Sequence, residues 1–126
     1  MSKIDEFEDI EAWKEARILA RMAYEICRSG ELAKDFSLRD QIRRSAISIG
    51  SNIAEGFGRG TNQEFIRFLR IAIGSAYEFR SQTYSLLDAG YLDSQTFDQL
   101  LNQSTKVANL IGEFLRYLEN NKKKNI

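Results

Sequence analysis

The residues of this chain whose type and spacing suit chemistry are arginines. Arg39, Arg43 and Arg44 open one predicted helix, Arg59 lies in a glycine-rich connection, and Arg67 and Arg70 follow on the next helix. A guanidinium presents a planar fork of N–H donors that matches phosphate or carboxylate oxygens in pairs. A strip of them suits the phosphates of RNA or DNA. The competing use is a solvated, salt-bridged face opposite an acidic first helix. Tyr77 and Tyr84 have rings that can stack on bases, although their register favours interface packing.

The connection Gly56-Phe57-Gly58-Arg59-Gly60-Thr61 runs into a helix N-terminus, where free amides and the positive end of the dipole attract an anion. It lacks the Lys-Ser/Thr ending of a phosphate-binding loop and follows no strand, so nucleotide hydrolysis by that route is not indicated. Three glycines also serve a tight turn between helices. The sequence contains no histidine and one cysteine, Cys27. Ser-His and Cys-His nucleophiles, histidine metal sites and an intramolecular disulfide are thereby removed. The expectation is a protein that is not an enzyme and holds neither metal nor cofactor, with Cys27 an inert thiol and Trp13 a core residue.

These residues must be carried by helices. Proline is absent from the 126 residues, and a hydrophobic fraction of 43% with 29% charged residues is ordinary for a globular chain. Apolar residues recur every three or four positions over four segments, about 10–29, 38–55, 62–89 and 94–120, ahead of a basic tail at 122–126. Asp9, Ser37 and Thr61 are the expected N-caps, and Gly30, Gly56 and Gly90 the expected stops. The tail lysines Lys122, Lys123 and Lys124 suit the negative end of the last helix dipole. Short connections make neighbours antiparallel, so residues 1–126 read as one all-α domain, an antiparallel up-down-up-down four-helix bundle. No segment reaches the length of a transmembrane span, and the acidic start (Asp5, Glu6, Glu8, Asp9) is unlike a secretory leader, so the cytoplasm is the expected compartment and no membrane is expected as partner.

Net charge is zero, yet residues 1–35 carry nine acids and six bases, whereas 36–81 carry seven arginines and four acids. The third helix also bears a second apolar stripe, Ile66, Ile73, Tyr77 and Tyr84, roughly a right angle from its core face. On the second helix Ile47, Gly50 and Ala54 face away from the main stripe. Such faces predict self-association through helices two and three; the competing reading is a splayed bundle with a broad core. Gln41, Ser45, Ser48, Asn52 and Glu55 flank the core stripe of the second helix. Ser48, Asn52 and Glu55 are expected to act structurally, through interhelical hydrogen bonds or by pairing Glu55 with Arg59 or Arg67.

The strings Phe7-Glu8-Asp9-Ile10-Glu11-Ala12-Trp13, Gln41-Ile42-Arg43-Arg44-Ser45-Ala46, Ser48-Ile49-Gly50-Ser51-Asn52-Ile53-Ala54-Glu55-Gly56 and Glu64 through Glu78, with Phe68-Leu69-Arg70-Ile71-Ala72-Ile73-Gly74-Ser75 inside it, span most of the chain. They resemble the bacterial four-helix-bundle family that includes proteins encoded by intervening sequences of 23S ribosomal RNA genes. Gly50 departs from the family pattern, in which many relatives carry proline. The resemblance implies a ring-like homopentamer. It also implies kinship with the accessory variability protein of diversity-generating retroelements, a basic pentameric bundle that serves a reverse transcriptase and nucleic acid. The expected function is a non-enzymatic, homo-oligomeric binding or scaffolding module with RNA or a nucleoprotein partner as ligand. The alternatives are a purely structural protein–protein module and an enzyme or small-anion binder at the Arg59 turn.

Overall fold

Apolar residues spaced three and four apart can bury a continuous stripe only if the backbone is helical, and the chain follows that rule almost throughout. The computed structural model describes residues 4–121. Among them are four long helices, α1 (Glu11–Ile26), α2 (Phe36–Gly58), α3 (Asn62–Asp88) and α4 (Ser94–Asn120), with 3-10 turns at Phe7–Asp9 and Leu32–Lys34 and no strand. The helices run up, down, up and down, and each packs against the two beside it: α1 on α2 and α4, α3 on α2 and α4. The role expected of Lys122 to Lys124 lies outside the described residues.

The inward stripes meet in one core. Leu19, Ile42, Ile49, Ile53, Leu69, Phe79, Leu86, Leu100, Ile111 and Leu118 are fully buried, and each contributes roughly 1.5–3 kcal/mol of transfer free energy. Periodicity predicts an α1 stripe of Ile10, Trp13, Ala16, Ala20, Ala23, Tyr24 and Cys27; of these Tyr24 is exposed and Trp13 half-buried, while Ala12 and Leu19, outside that stripe, are buried. The α1 stripe is therefore centred about one helical row away from its expected position.

The ends differ from expectation where two signals compete. Asp9 does not cap α1: Ile10 is the N-cap residue, and the Asp9 carboxylate accepts from the Glu6 amide at 3.2 Å within the preceding 3-10 turn. Asp35 rather than Ser37 caps α2, accepting from the Leu38 amide at 3.2 Å, and Ser37 instead accepts from the Gln41 side chain. Gly30 has φ +72° but sits in the turn beyond α1, which has already ended at Ile26. Gly56 does not stop α2. A Cβ there would lie 2.6 Å from Phe68 Cβ, so its bare backbone is what lets α3 approach, and the chain reverses at Gly60, φ +88°. Thr61 and Asp93 cap α3 and α4 by accepting from the Glu64 and Thr96 amides. At the end of α3, the Gly90 and Tyr91 amides donate to Leu87 and Leu86 carbonyls, with Gly90 at φ +80°.

Candidate functional site

The arginines divide between the two ends of the bundle. Arg39, Arg43 and Arg44 stand in the first third of α2, whereas Arg59 follows its end, about 23 Å away at 1.5 Å per residue. Arg67 and Arg70, on the antiparallel α3, share the Arg59 end. At that end the guanidiniums are occupied. Arg59 donates to Glu55 at 2.8 Å, Arg67 to Glu64 at 3.2 Å, and Arg70 pairs with Glu119 across from α4. Arg59 and Arg67 also lie against the Phe68 ring, at 4.9 and 4.5 Å.

The hydrogen bond and charge of Arg67 hold the Glu64 carboxyl below the usual glutamate range, and Glu64 raises Arg67 in return. Glu64 lies in the first turn of α3, so the helix N-terminus already has a carboxylate of the protein's own beside it. This is the place where an anion site was the alternative to a plain turn between helices.

At the other end the cations are less committed. Arg39 donates to the Ala33 carbonyl at 3.0 Å, pairs with Asp40 and lies 4.6 Å over the Phe36 ring. Arg43 and Arg44 have no carboxylate partner among the described residues. Arg43 lies 5.0 Å over Tyr24, with its Nε buried and without an acceptor. Beside them is an open depression of about 430 Å³ lined by Tyr24, Asp40, Arg43, Arg44, Ile47 and Ser48.

Between α1 and α2 runs an apolar groove of about 300 Å³, with Phe7, Trp13, Ala20, Ile47, Gly50 and Ala54 among its walls. Phe7 and Trp13 meet edge to face at 5.0 Å, Arg17 lies 5.9 Å from the Trp13 ring, and Gly50 faces Trp13 Nε1 at 3.5 Å from its Cβ position. The α1 half of this groove escaped sequence reasoning. Its signal was present in Trp13, Ala20 and Tyr24, whose spacing follows a row offset from the Leu19 row.

The opposite edge, formed by α3 and α4, exposes Tyr77 (55%) and Tyr84 (48%). Tyr84 meets Phe97 edge to face at 5.1 Å, and Ile73 is half-buried beside Gly112. Ile66 lies elsewhere: only 6% exposed, it belongs to the core of this chain, and the apolar surface of α3 consists of Ile73, Tyr77 and Tyr84 without it. Ile47 is 46% exposed, whereas Gly50 and Ala54 line the groove wall.

The polar row of α2 faces α3. Ser48 Oγ and Ser75 Oγ are 2.9 Å apart, Asn52 donates to both the Ser48 carbonyl and Oγ, and Ser45 donates to Gln82 at 2.6 Å. Glu55 lies outside this network, on Arg59. Cys27 is buried, its thiol 3.9 Å from the Arg39 carbonyl, and burial pushes its pKa up, away from the reactive thiolate. Among the described residues no group of three potential metal ligands comes together, and no helix is long and apolar enough to cross a membrane.

The architecture defines the class: an up-and-down four-helix bundle whose distinctive features lie on its outer faces. A model of the 23S rRNA-intervening sequence protein family matches residues 8–113, and the chain belongs to that family. It is similar to a solved structure from Bacteroides thetaiotaomicron, described as a protein of unknown function from the S23 ribosomal protein family. The two are 26% identical with a TM-score of 0.74, over 82% of this chain and 97% of the other. No curated protein matches the chain.

Proposed function

We propose that the chain is a non-enzymatic, self-assembling helical module, a homopentamer by expectation, that presents its outer surface to a macromolecular partner. The observation carrying this reading is the pair of apolar edges, with Ile47 above the α1/α2 groove and Tyr77 and Tyr84 on α3. Grouped exposed apolar surface of this kind marks an interaction face rather than a reaction site. Native mass measurement at micromolar concentration tests it. A multiple of the single-chain mass is the expected result, and a monomer throughout removes the proposal.

The second reading adds RNA as ligand, and one observation favours it: Arg43 and Arg44, alone among the six candidate arginines, have no anionic partner among the described residues and flank an open depression beside Tyr24. Assembly would repeat this patch around the oligomer, multiplying phosphate contacts. Fluorescence anisotropy with single-stranded and structured RNA at two salt concentrations is the test. Binding that weakens steeply with salt and is lost in Arg43→Glu/Arg44→Glu supports RNA. No binding at low salt leaves the purely structural role, with a protein as partner.

A further inference from the structure

We infer that the depression beside Tyr24 is a subsite for one unpaired nucleotide of RNA, its phosphate on Arg44 and the donor edge of its base on Asp40, so that the chain reads single strands and favours guanine. This rests on the RNA reading above and specifies what is recognised there.

Size and placement select the occupant. At about 430 Å³ the depression lies within the roughly 300–1,000 Å³ of pockets that take one small ligand. Of the six candidate arginines, the two uncommitted ones, Arg43 and Arg44, are neighbours on one turn of α2, whereas Arg59, Arg67 and Arg70 at the other end pair with Glu55, Glu64 and Glu119. Cations gathered at one point suit one phosphate. A duplex is held by contacts spread along its backbone.

The walls carry the chemistry that a nucleotide needs. The Arg43 guanidinium lies 5.0 Å from the centre of the Tyr24 ring, and with its Nε buried and without an acceptor, its Nη groups are the donors left for an acceptor from outside. Tyr24 is 38% exposed and Ile47 46%, which leaves ring and aliphatic surface for the face of a base. Arg44 is exposed. Asp40 precedes Arg43 and Arg44 by three and four residues, the spacing at which opposite charges on a helix pair. Its carboxylate nevertheless accepts from Arg39 Nε, at 3.4 Å and through one oxygen.

A carboxylate in an otherwise cationic depression opposes an anion bound alone and welcomes N–H donors. Ser48 is already bonded to Ser75 and Asn52, so Asp40 is the acceptor at this site. Guanine is the RNA base whose Watson–Crick edge presents two adjacent donors, N1–H and N2–H, matching the two carboxylate oxygens. Adenine and cytosine offer a donor beside an acceptor, and uracil one donor between two carbonyls. In a duplex that edge is already paired.

The test is fluorescence anisotropy at low salt with short oligouridylates that carry one central guanosine, inosine or uridine, free or annealed to a complementary strand. The guanosine strand should bind roughly tenfold more tightly than the all-uridine strand, the scale of one bidentate base contact. Inosine, which lacks the N2 amino group, should fall between them, and annealing should remove the preference. Asp40→Asn should bring the guanosine and uridine strands to equal affinity without weakening the uridine strand. The Asp40 side chain is 49% exposed, so circular dichroism of that variant should match the wild type. A guanosine preference that survives Asp40→Asn would overturn the role given to Asp40. A duplex bound as tightly as the single strand, and lost in Arg43→Glu/Arg44→Glu, would overturn the single-nucleotide subsite while the RNA reading stands. No binding of any strand would remove both.

Discussion

Helix α2 has two flanks, and they are built in opposite ways. Toward α3 it is closed: Gly56 admits Phe68 to a distance that no side chain would tolerate, and Ser45, Ser48 and Asn52 form a hydrogen-bonded row with Ser75 and Gln82. Toward α1 it is open: Gly50 faces the edge of Trp13 at ordinary contact distance, and the groove remains above. One helix thus supplies a rigid internal seam and an unfilled external surface. Polar pairing belongs to the α3 flank, while the α1 flank leaves apolar surface exposed at Ile47.

The same methyl group added on each flank of α2 should have opposite effects. Gly56→Ala puts a Cβ against Phe68 Cβ at 2.6 Å and Phe65 Cδ1 at 3.0 Å. The first of these is anchored to the backbone of α3, so the helices must separate. Overpacking of this kind costs about 1–3 kcal/mol and outweighs the gain in helix propensity. The urea midpoint should fall by the corresponding amount. Gly50→Ala meets Trp13 Nε1 at 3.5 Å, Trp13 Cδ1 at 3.6 Å and Ala16 Cβ at 3.9 Å, all ordinary contact distances, so the propensity term dominates and stability should rise by about 0.5–1 kcal/mol. Equal signs in the two denaturation curves would show that the flanks do not differ as described.

How much of this was legible in the sequence depends on the range of the interaction. Four helices and the core-facing rows of α2, α3 and α4 follow from periodicity, because each row is set by the 3.6-residue repeat of its own segment; on α1 the row of Trp13, Ala20 and Tyr24 competes with the Leu19 row, and the Leu19 row is the buried one. The Glu55–Arg59 pair, at i,i+4, was also within reach. Arg70 with Glu119 was not, since nothing local brings position 70 to position 119, and the arginine strip read as continuous for that reason. Gly56 looked like a stop because a glycine that ends a helix and one that admits a neighbour are identical in sequence; only the position of Phe68 separates them. Ile66 shares a row with Tyr77 and Tyr84, yet it is buried in the core while they stand exposed, because coverage along one row depends on tertiary neighbours that periodicity does not encode. The caps at Asp9 and Ser37 failed more narrowly. Each lies within two residues of the true N-cap, where backbone angles rather than side-chain type decide.

The smallest expected effect concerns the α1/α4 flank, which is closed by a polar clamp rather than by a seam. Gln103 of α4 donates to both the carbonyl and the carboxylate of Glu15, and Lys106 approaches the same carboxylate at 3.3 Å. The Gln103 hydrogen bond, opposed by burial and aided by Lys106, lowers the Glu15 pKa from its ordinary value of 4.5. A carboxyl whose folded pKa is depressed stabilises the fold above its unfolded pKa, and that contribution is lost as pH falls through the folded pKa. Stability should therefore decline below about pH 4.5 in part through Glu15. In Glu15→Gln the hydrogen bond to Gln103 can persist through the amide oxygen while the charge is gone, so the variant should lose a few tenths of a kcal/mol at pH 7, the scale of a partly exposed ion pair. Its unfolding midpoint should also fall less steeply than that of the wild type on acidification. Parallel acid limbs would place the acid sensitivity in other carboxylates and reduce Glu15 to a neutral hydrogen-bonding role, making this flank, like the α2/α3 seam, a contact held without charge.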